Sequence, residues 1–392
     1  MARPLMQILS GRRRFLQALA AMPLAACVSQ RPAGRQNFTP SGEPLRRVQV
    51  SADRVVRVVT GLRPFRPAGF VVRAEPFGSK LLVHNYGHGG GGVTLSWGTS
   101  QLALELALQS EHRQAAVIGC GAVGLATARL LQRHGWDVAI YAKDLPPATT
   151  SNIAGAQWSP ASVFDKSVVS DAHLDELAIA MRHSYREFQN LVGAHYGVRW
   201  ISNYLLSDKP ADVSDMRLRY PDMFPELREL SPRQHPFPVS HALHFDTMFI
   251  EPPVYLPAMM RDVRAAGSRI EVREFDDAAE LHTLKEPVIF NCSGLGTRTL
   301  FGDDELIPVK GQLVVLKPQD DINYLMISNG IYMFPRSDGV LLGGTFDRNV
   351  YSLDADPGAT RSILARHASF FRNMQDPWAR PWETSATTNL ES

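Results

Sequence analysis

The stretch "AAVIGCGAVGLATARLLQRHGWDVAIYA", Ala115 to Ala142, decides the fold. Ala115 to Ile118 is a short apolar run that reads as a buried strand, and Gly119-Cys120-Gly121-Ala122-Val123-Gly124 then supplies a G-x-G-x-x-G turn. A helical stretch runs on to His134, Gly135 stops it, and "DVAIYA" reads as a second strand. In such a unit the glycines make a tight turn, let backbone approach a pyrophosphate, and pack helix closely on strand, with phosphate at the helix N-terminus. A bare glycine pattern is common by chance. Here the strand, turn, helix and strand are all present, so the unit predicts dinucleotide binding through Gly119, Gly121, Ala122, Val123 and Gly124. An acid that holds the adenosine ribose belongs about 20 residues further on. In "YAKD" that place is taken by Ala142, and Asp144 follows two later, so either Asp144 takes the ribose or a different contact does. Lys143 on a 2′-phosphate is a third reading, against which the rest of the chain speaks.

Around this unit, 392 residues with 44% hydrophobic content can bury a large core, as one big domain or two intertwined ones. Repeats and heptads are absent. The net charge is +2, and four arginines precede Cys27 with no acid among them, so the remainder of the chain is slightly acidic. Nucleic acid is therefore not an expected partner. Three cysteines, Cys27, Cys120 and Cys292, cannot form a disulfide scaffold for this length, and the last two read as buried free thiols. The histidines His84, His88, His183, His195 and His235 are scattered without metal-ligand spacing, so no metal is expected and His84 and His88 read as structural.

Residues 1–27 read as an export signal. Arg12-Arg13-Arg14-Phe15-Leu16 resembles a twin-arginine pattern, the apolar run from Ala18 to Ala26 is too short to span a bilayer, and "LAAC" resembles a lipoprotein cleavage box ending at Cys27. Residues 28–45 are polar and Pro/Gly-rich, as a tether would be. These features predict an exported protein of the periplasm or cell envelope, lipid-anchored through Cys27.

Further stretches carry a resemblance. "VIGCGAVGLATARLL", "YAKDLPPATTSNIAGAQWSP", "HFDTMFIEPPVYLPAMMRDVRAAG", "IFNCSGLGTRTLFGD", "PVKGQLVVLK", "GIYMFPRSDGVLLGGTFDRN", "TGLRPFRP" and "VHNYGHGGGGVTLSWG" together resemble the D-amino-acid oxidase family of FAD flavoproteins over about residues 55–375. In that family the last two stretches come at the C-terminal end, whereas here they come first. The chain therefore reads as circularly permuted, with Thr99 to Gln109 as the family's last helix. The new break lies between the helix "PGATRSILARHASFF" and the strand "DRVVRVVTGLRP", both flanked by polar or Pro-rich segments.

The resemblance assigns roles. Arg63 matches the arginine that binds the substrate carboxylate, a task suited to a planar, permanently charged fork. Pro64 and Pro67 would hold the local backbone, and Arg66 falls on the opposite face of an extended run. Tyr332 matches the tyrosine whose hydroxyl also contacts that carboxylate. Ser328 stands where some members carry a mobile lid tyrosine. Arg336, at a strand end after Pro335, is expected at the surface, an acidic partner being the other reading. Gly89, Gly90, Gly91 and Gly92 read as a loop that brings backbone close to the flavin ring, with the Gly90 carbonyl near the substrate amine and Val93 and Thr94 at the pyrimidine edge. Thr149, Thr150, Ser151, Gly155, Ala156 and Gln157 match the segment around pyrophosphate and flavin, and Ser293-Gly294 a turn near the cofactor's other half.

The sequence thus predicts an α/β fold, a Rossmann-like FAD domain interleaved with a mixed-sheet substrate domain. Cofactor parts are expected at about 80–165 and 240–302, substrate parts at about 46–79, 166–239 and 303–350, and a polar tail at 376–392. The implied reaction is oxidative deamination of a D-amino acid by FAD and oxygen, with hydrogen peroxide formed. A related amine oxidase of the glycine, sarcosine or D-aspartate type, and a non-catalytic flavin-fold lipoprotein acting as a binding module, stand as alternatives.

Overall fold

The computed structural model describes residues 45–375 apart from 211, 213 and 214. The expected export signal, Cys27, nearly all of the expected tether and the expected polar tail lie outside these. In chain order the first strands are β1 (Val55–Phe65), β2 (Val71–Phe77), β3 (Lys80–Tyr86), β4 (Gln114–Ile118) and β5 (Asp137–Ala142). They are followed by β6 (Val198–Ser207), β7 (Arg228–Leu230), β8 (His241–Ile250), β9 (Arg269–Val272) and β10 (Val288–Asn291). The last are β11 (Ile307–Leu316), β12 (Tyr324–Ser328), β13 (Ile331–Arg336), β14 (Gly339–Gly343) and β15 (Asp347–Arg348). The helices are α1 (Gly92–Ala107), α2 (Ala122–Arg133), α3 (Asp171–Asn190), α4 (Met216–Arg219), α5 (Pro252–Ala265), α6 (Gly296–Phe301) and α7 (Pro357–Asn373).

Two sheets result. The six-stranded sheet runs β2-β3-β10-β4-β5-β9, and all its strands are parallel except β2, which is antiparallel to β3. The nine-stranded sheet runs β1-β11-β14-β13-β12-β6-β8-β7, with β15 on β11; only β6 and β12 pair in parallel. In the parallel sheet the carboxyl ends of β3, β10, β4 and β5 share one edge, the edge at which α/β sheets bind ligands.

The β4–α2–β5 unit follows its sequence. Four of the five β4 residues are buried, as a strand covered on both faces must be. Helix α2 ends at Arg133, and Gly135, at φ 78, lets its own N–H donate to Gln132 and the next one to Leu131. Helix α1 is buried over most of its length because other elements cover it. Trp97 is fully buried and donates its indole N–H to the Tyr255 hydroxyl at 2.9 Å. Gly98 meets α3 so closely that a Cβ there would lie 1.8 Å from the Ala180 carbonyl oxygen.

Four sequence expectations need correction. Strand β2, expected with the substrate part, joins the cofactor sheet, because the two-residue turn at Gly78 folds it back on β3. Strand β8, expected with the cofactor part, lies in the nine-stranded sheet, paired with β6 along its whole length. Helix α3, within the expected substrate part, packs on α1 of the cofactor layer. The family's last helix begins at Gly92 rather than Thr99, so Gly92, Val93 and Thr94 form its first turn and Gly89–Gly91 a 3-10 turn leading into it.

Candidate active site

A cavity of about 1000 Å³ opens at the carboxyl edge of the parallel sheet and is closed on its far side by β1, β11 and β13. It is lined at one end by Gly119, Gly121 and Val123, in the turn that follows β4. Gly119 sits at φ 111, and a Cβ there would come within 2.4 Å of the Cys292 carbonyl oxygen. Gly124 lies under the turn instead of lining it: its Cβ would be 2.0 Å from the Gly119 carbonyl oxygen, so this glycine serves the packing of α2 on β4. Ala122 does not line the cavity either, and its N–H donates to Ser151 Oγ at 3.0 Å. Cys120 and Cys292, both at this end, have thiols pushed up to about 12 by burial, so they stay protonated and unreactive.

Thr149, Thr150, Ser151, Gly155, Ala156 and Gln157 all line the cavity, as do Ser293 and Gly294. The 149–157 segment is bent tightly, with Ala156 at φ 58 and its carbonyl accepting from Ile250 N. Gly155 has the Phe334 ring where a Cβ would be, 2.4 Å away. Arg336 holds this segment from outside. It is buried, not at the surface as expected, because Asp338 takes its Nε and Nη2 at 2.7 and 2.6 Å while Nη1 donates to the Asn152 and Ala154 carbonyls at 3.3 Å.

Gly89, Gly90, Gly92, Val93 and Thr94 line the middle of the cavity, whereas Gly91 faces Val163. The first N–H groups of a helix have no intrahelical partner, so this start of α1 presents backbone donors to a ligand. Thr94 Oγ1 donates to the Ser159 carbonyl at 3.0 Å, and Gly90 N to the Ser162 carbonyl at 3.0 Å, which ties the glycine turn to the loop beyond the 149–157 segment. His88 beneath it is structural. It bonds Thr99 Oγ1 at 2.9 Å, stacks on Phe70, and burial lowers its pKa to about 3. His84 bonds Glu75 and Asn291, each at 3.1 Å.

The two side chains expected at the substrate end meet. Arg63, on β1, donates from Nη2 to the Tyr332 hydroxyl at 3.4 Å, and its Nη1 is buried with no partner. Burial raises the Tyr332 pKa, opposed by the neighbouring Arg63 charge, so the phenol remains a proton donor. Arg66 does not line the cavity and pairs with Asp303 and Glu305 instead. Two glycines that sequence reasoning passed over make this arrangement possible. A Cβ at Gly311 would be 2.3 Å from Arg63 Nη1, and one at Gly343 2.0 Å from Tyr332 Cζ. The signal was present as glycines inside strand patterns, which mark close approach. Phe346 and Tyr351, also passed over, line the mouth, and Ser328 is buried in β12.

The sequence pattern common to the DAO family, FAD-dependent oxidoreductases, matches residues 114–386. The chain belongs to that family. It is 29% identical over 258 residues to a D-amino-acid oxidase of Streptomyces coelicolor, covering 64% of this chain and 76% of the relative. It is 27% identical over 255 residues to a human D-aspartate oxidase, with 64% and 74% covered. Its fold is similar to that of glycine oxidase from Geobacillus kaustophilus, at TM-score 0.52 and 18% identity over 67% of this chain and 80% of the other.

FAD fits the cavity of this family member. The glycine turn leaves no room for side chains where a pyrophosphate would pass, and Gln157 Nε2 is a buried donor without a partner in the cavity wall. Lys143 and Asp144 line the cavity beyond the turn. The Lys143 ammonium pairs with Glu274 at 2.5 Å.

Proposed function

We propose that this FAD-dependent amino-acid oxidase converts D-amino acids to 2-oxo acids, the overall reaction taking a D-amino acid, dioxygen and water to a 2-oxo acid, ammonia and hydrogen peroxide. The observation that carries this reading is Arg63: a guanidinium with a buried Nη1 and no carboxylate partner among the described residues, beside the Tyr332 hydroxyl, in the same cavity as the Gly119 turn. Leaving a buried N–H donor of this partly buried guanidinium unpaired is costly, and a substrate carboxylate would remove that cost. Bound FAD supplies the hydride acceptor for the substrate Cα–H. Arg63 grips the carboxylate with two parallel N–H bonds, Tyr332 donates a third, and together they fix the substrate's angle in the cavity. Gly119 and Gly121 would pass the pyrophosphate, and the first turn of α1 with Gln157 would meet the flavin edge. The D-amino-acid and D-aspartate oxidases named above support this substrate class.

The test is anaerobic absorption spectroscopy of the purified protein with a panel of single D- and L-amino acids, glycine and sarcosine, followed by peroxide release in air. Bleaching of the flavin band by D-amino acids is expected. Bleaching by glycine and sarcosine alone, or by D-aspartate alone, replaces the substrate class, and a colourless or unresponsive protein overturns the enzyme reading.

We propose further that the chain is a circular permutation of the family fold. The family match begins at residue 114, at the start of β4, yet β1, β3 and α1, which complete both sheets and the cavity, precede it. The break would fall between α7 and β1, and Arg47 donates to the Met374 carbonyl at 2.5 Å, so these ends are neighbours. A chain restarted at Gln114, with residues 375 and 46 joined by a short linker, should fold and bind FAD. Export through the arginine signal and lipidation at Cys27 complete the proposal; envelope fractionation of wild type against Cys27→Ser tests them.

A further inference from the structure

The adenosine end of the cavity lacks an acid at the customary place, since Ala142 ends β5. The structure assigns that role to Glu274, delivered by the neighbouring edge strand. Strands β5 and β9 run parallel in the register Ala142↔Val272, and Arg273 N donates to the Ala142 carbonyl at 3.0 Å, so Lys143-Asp144 and Glu274 leave the sheet side by side. Both sides line the same cavity as the Gly119 turn. Strand β5 is also the neighbour of β4, which carries that turn, so this corner lies one strand away from where the pyrophosphate would sit.

Three acids line this corner, Asp144, Glu274 and Asp276, and of these Glu274 pairs with the cation at the end of β5. Lys143 Nζ holds Glu274 Oε1 at 2.5 Å and leaves Oε2 to accept from a ribose hydroxyl. The Asp276 backbone turns away into the Ala278–Thr283 turn, its N–H donating to Glu280 at 2.9 Å. Arg273, the other cation here, also points away: it donates to Thr283 Oγ1 at 3.2 Å and lies over the Phe275 ring. With both cations paired and carboxylates in excess along the corner, a 2′-phosphate is disfavoured while an uncharged diol finds an acceptor. Glu274 thus serves as the acceptor for the adenosine 2′,3′-diol of FAD, and Lys143 serves as its positioning residue.

Apoprotein of the full chain, stripped of FAD, is titrated with FAD and separately with FMN, which lacks the adenosine, and binding is followed by flavin fluorescence. Glu274→Gln is expected to weaken FAD binding about tenfold, the size of a lost hydrogen bond to a charged group, and to leave FMN binding unchanged. Asp144→Asn and Asp276→Asn are expected to change neither. The assignment is overturned if Glu274→Gln binds FAD as the wild type does, if it loses FMN affinity to the same degree, or if Asp144→Asn or Asp276→Asn carries the loss instead. No substrate enters this experiment, so its result stands apart from the proposed reaction.

Discussion

The proposed cofactor end and the proposed substrate end of the cavity are built in opposite ways. The cofactor end is backbone: Gly119 to Gly124 is one contiguous stretch, a turn running into the first residues of α2, and its capacity lies in side chains that are absent. The substrate end is two side chains, Arg63 and Tyr332, 269 residues apart in sequence and brought within 3.4 Å by the order β1-β11-β14-β13. A backbone site is set by φ and by clearance, so it fails all at once. A side-chain site is set by charge and hydrogen bonds, so it should lose its functions one at a time.

Substitutions should separate the two. Gly119→Ala forces a Cβ into a φ of 111 and against the Cys292 carbonyl, at a cost of about 2–4 kcal/mol. It should purify without yellow flavin and with a lower Tm, as absorption at the flavin band and a melting curve would show. Arg63→Met should keep the flavin spectrum and lose about 100- to 1,000-fold in kcat/KM for the preferred D-amino acid, because two charge-assisted bonds to the carboxylate go. Arg63→Lys should recover only part of that, since an ammonium lacks the fork. Were Arg63→Met to lose FAD as well, the division between the two ends would collapse.

Smaller effects sharpen the same contrast. Tyr332→Phe removes one donor and should lower kcat/KM about tenfold, mostly through KM, with FAD retained. The smallest signal is in the pH profile. Burial raises the Tyr332 pKa above its ordinary 10, so the phenol remains protonated, and able to donate, up to and beyond that pH. Wild type and Tyr332→Phe should therefore give parallel profiles of kcat/KM below pH 10. Divergence beginning between pH 7 and 9 would mean that the hydroxyl ionises there and that its surroundings are not those described.

In the β4–α2–β5 unit both strands and the helix stop were legible to within a residue because what specifies them is local, an apolar run, an apolar helix face and a glycine stop; the helix start was not, since α2 begins at Ala122, inside the glycine motif. The start of α1 was misread for a physical reason. Glycine is a poor helix former, so Gly89 to Gly92 reads as a loop, and what holds it in a turn and then a helix is its surroundings, Ser162, Val163 and His88. Arg336 was misplaced because neither Asp338's aim nor the carbonyls of Asn152 and Ala154, some 180 residues back, are visible in "FPRSDG". Lys143 offered itself to a phosphate only while Glu274 was out of sight.

By itself the sequence determined a Rossmann-type cofactor unit and membership of a flavin oxidase family, since local periodicity and short motifs follow from neighbours a few residues apart. It also named Arg63 and Tyr332, by resemblance. Only the tertiary structure decided that they touch, that Gly311 and Gly343 clear space for them, and that Glu274, just after β9, lines the cavity beside Lys143 and Asp144. Those facts depend on which strands lie next to one another, and strand order is settled by burial across the whole sheet.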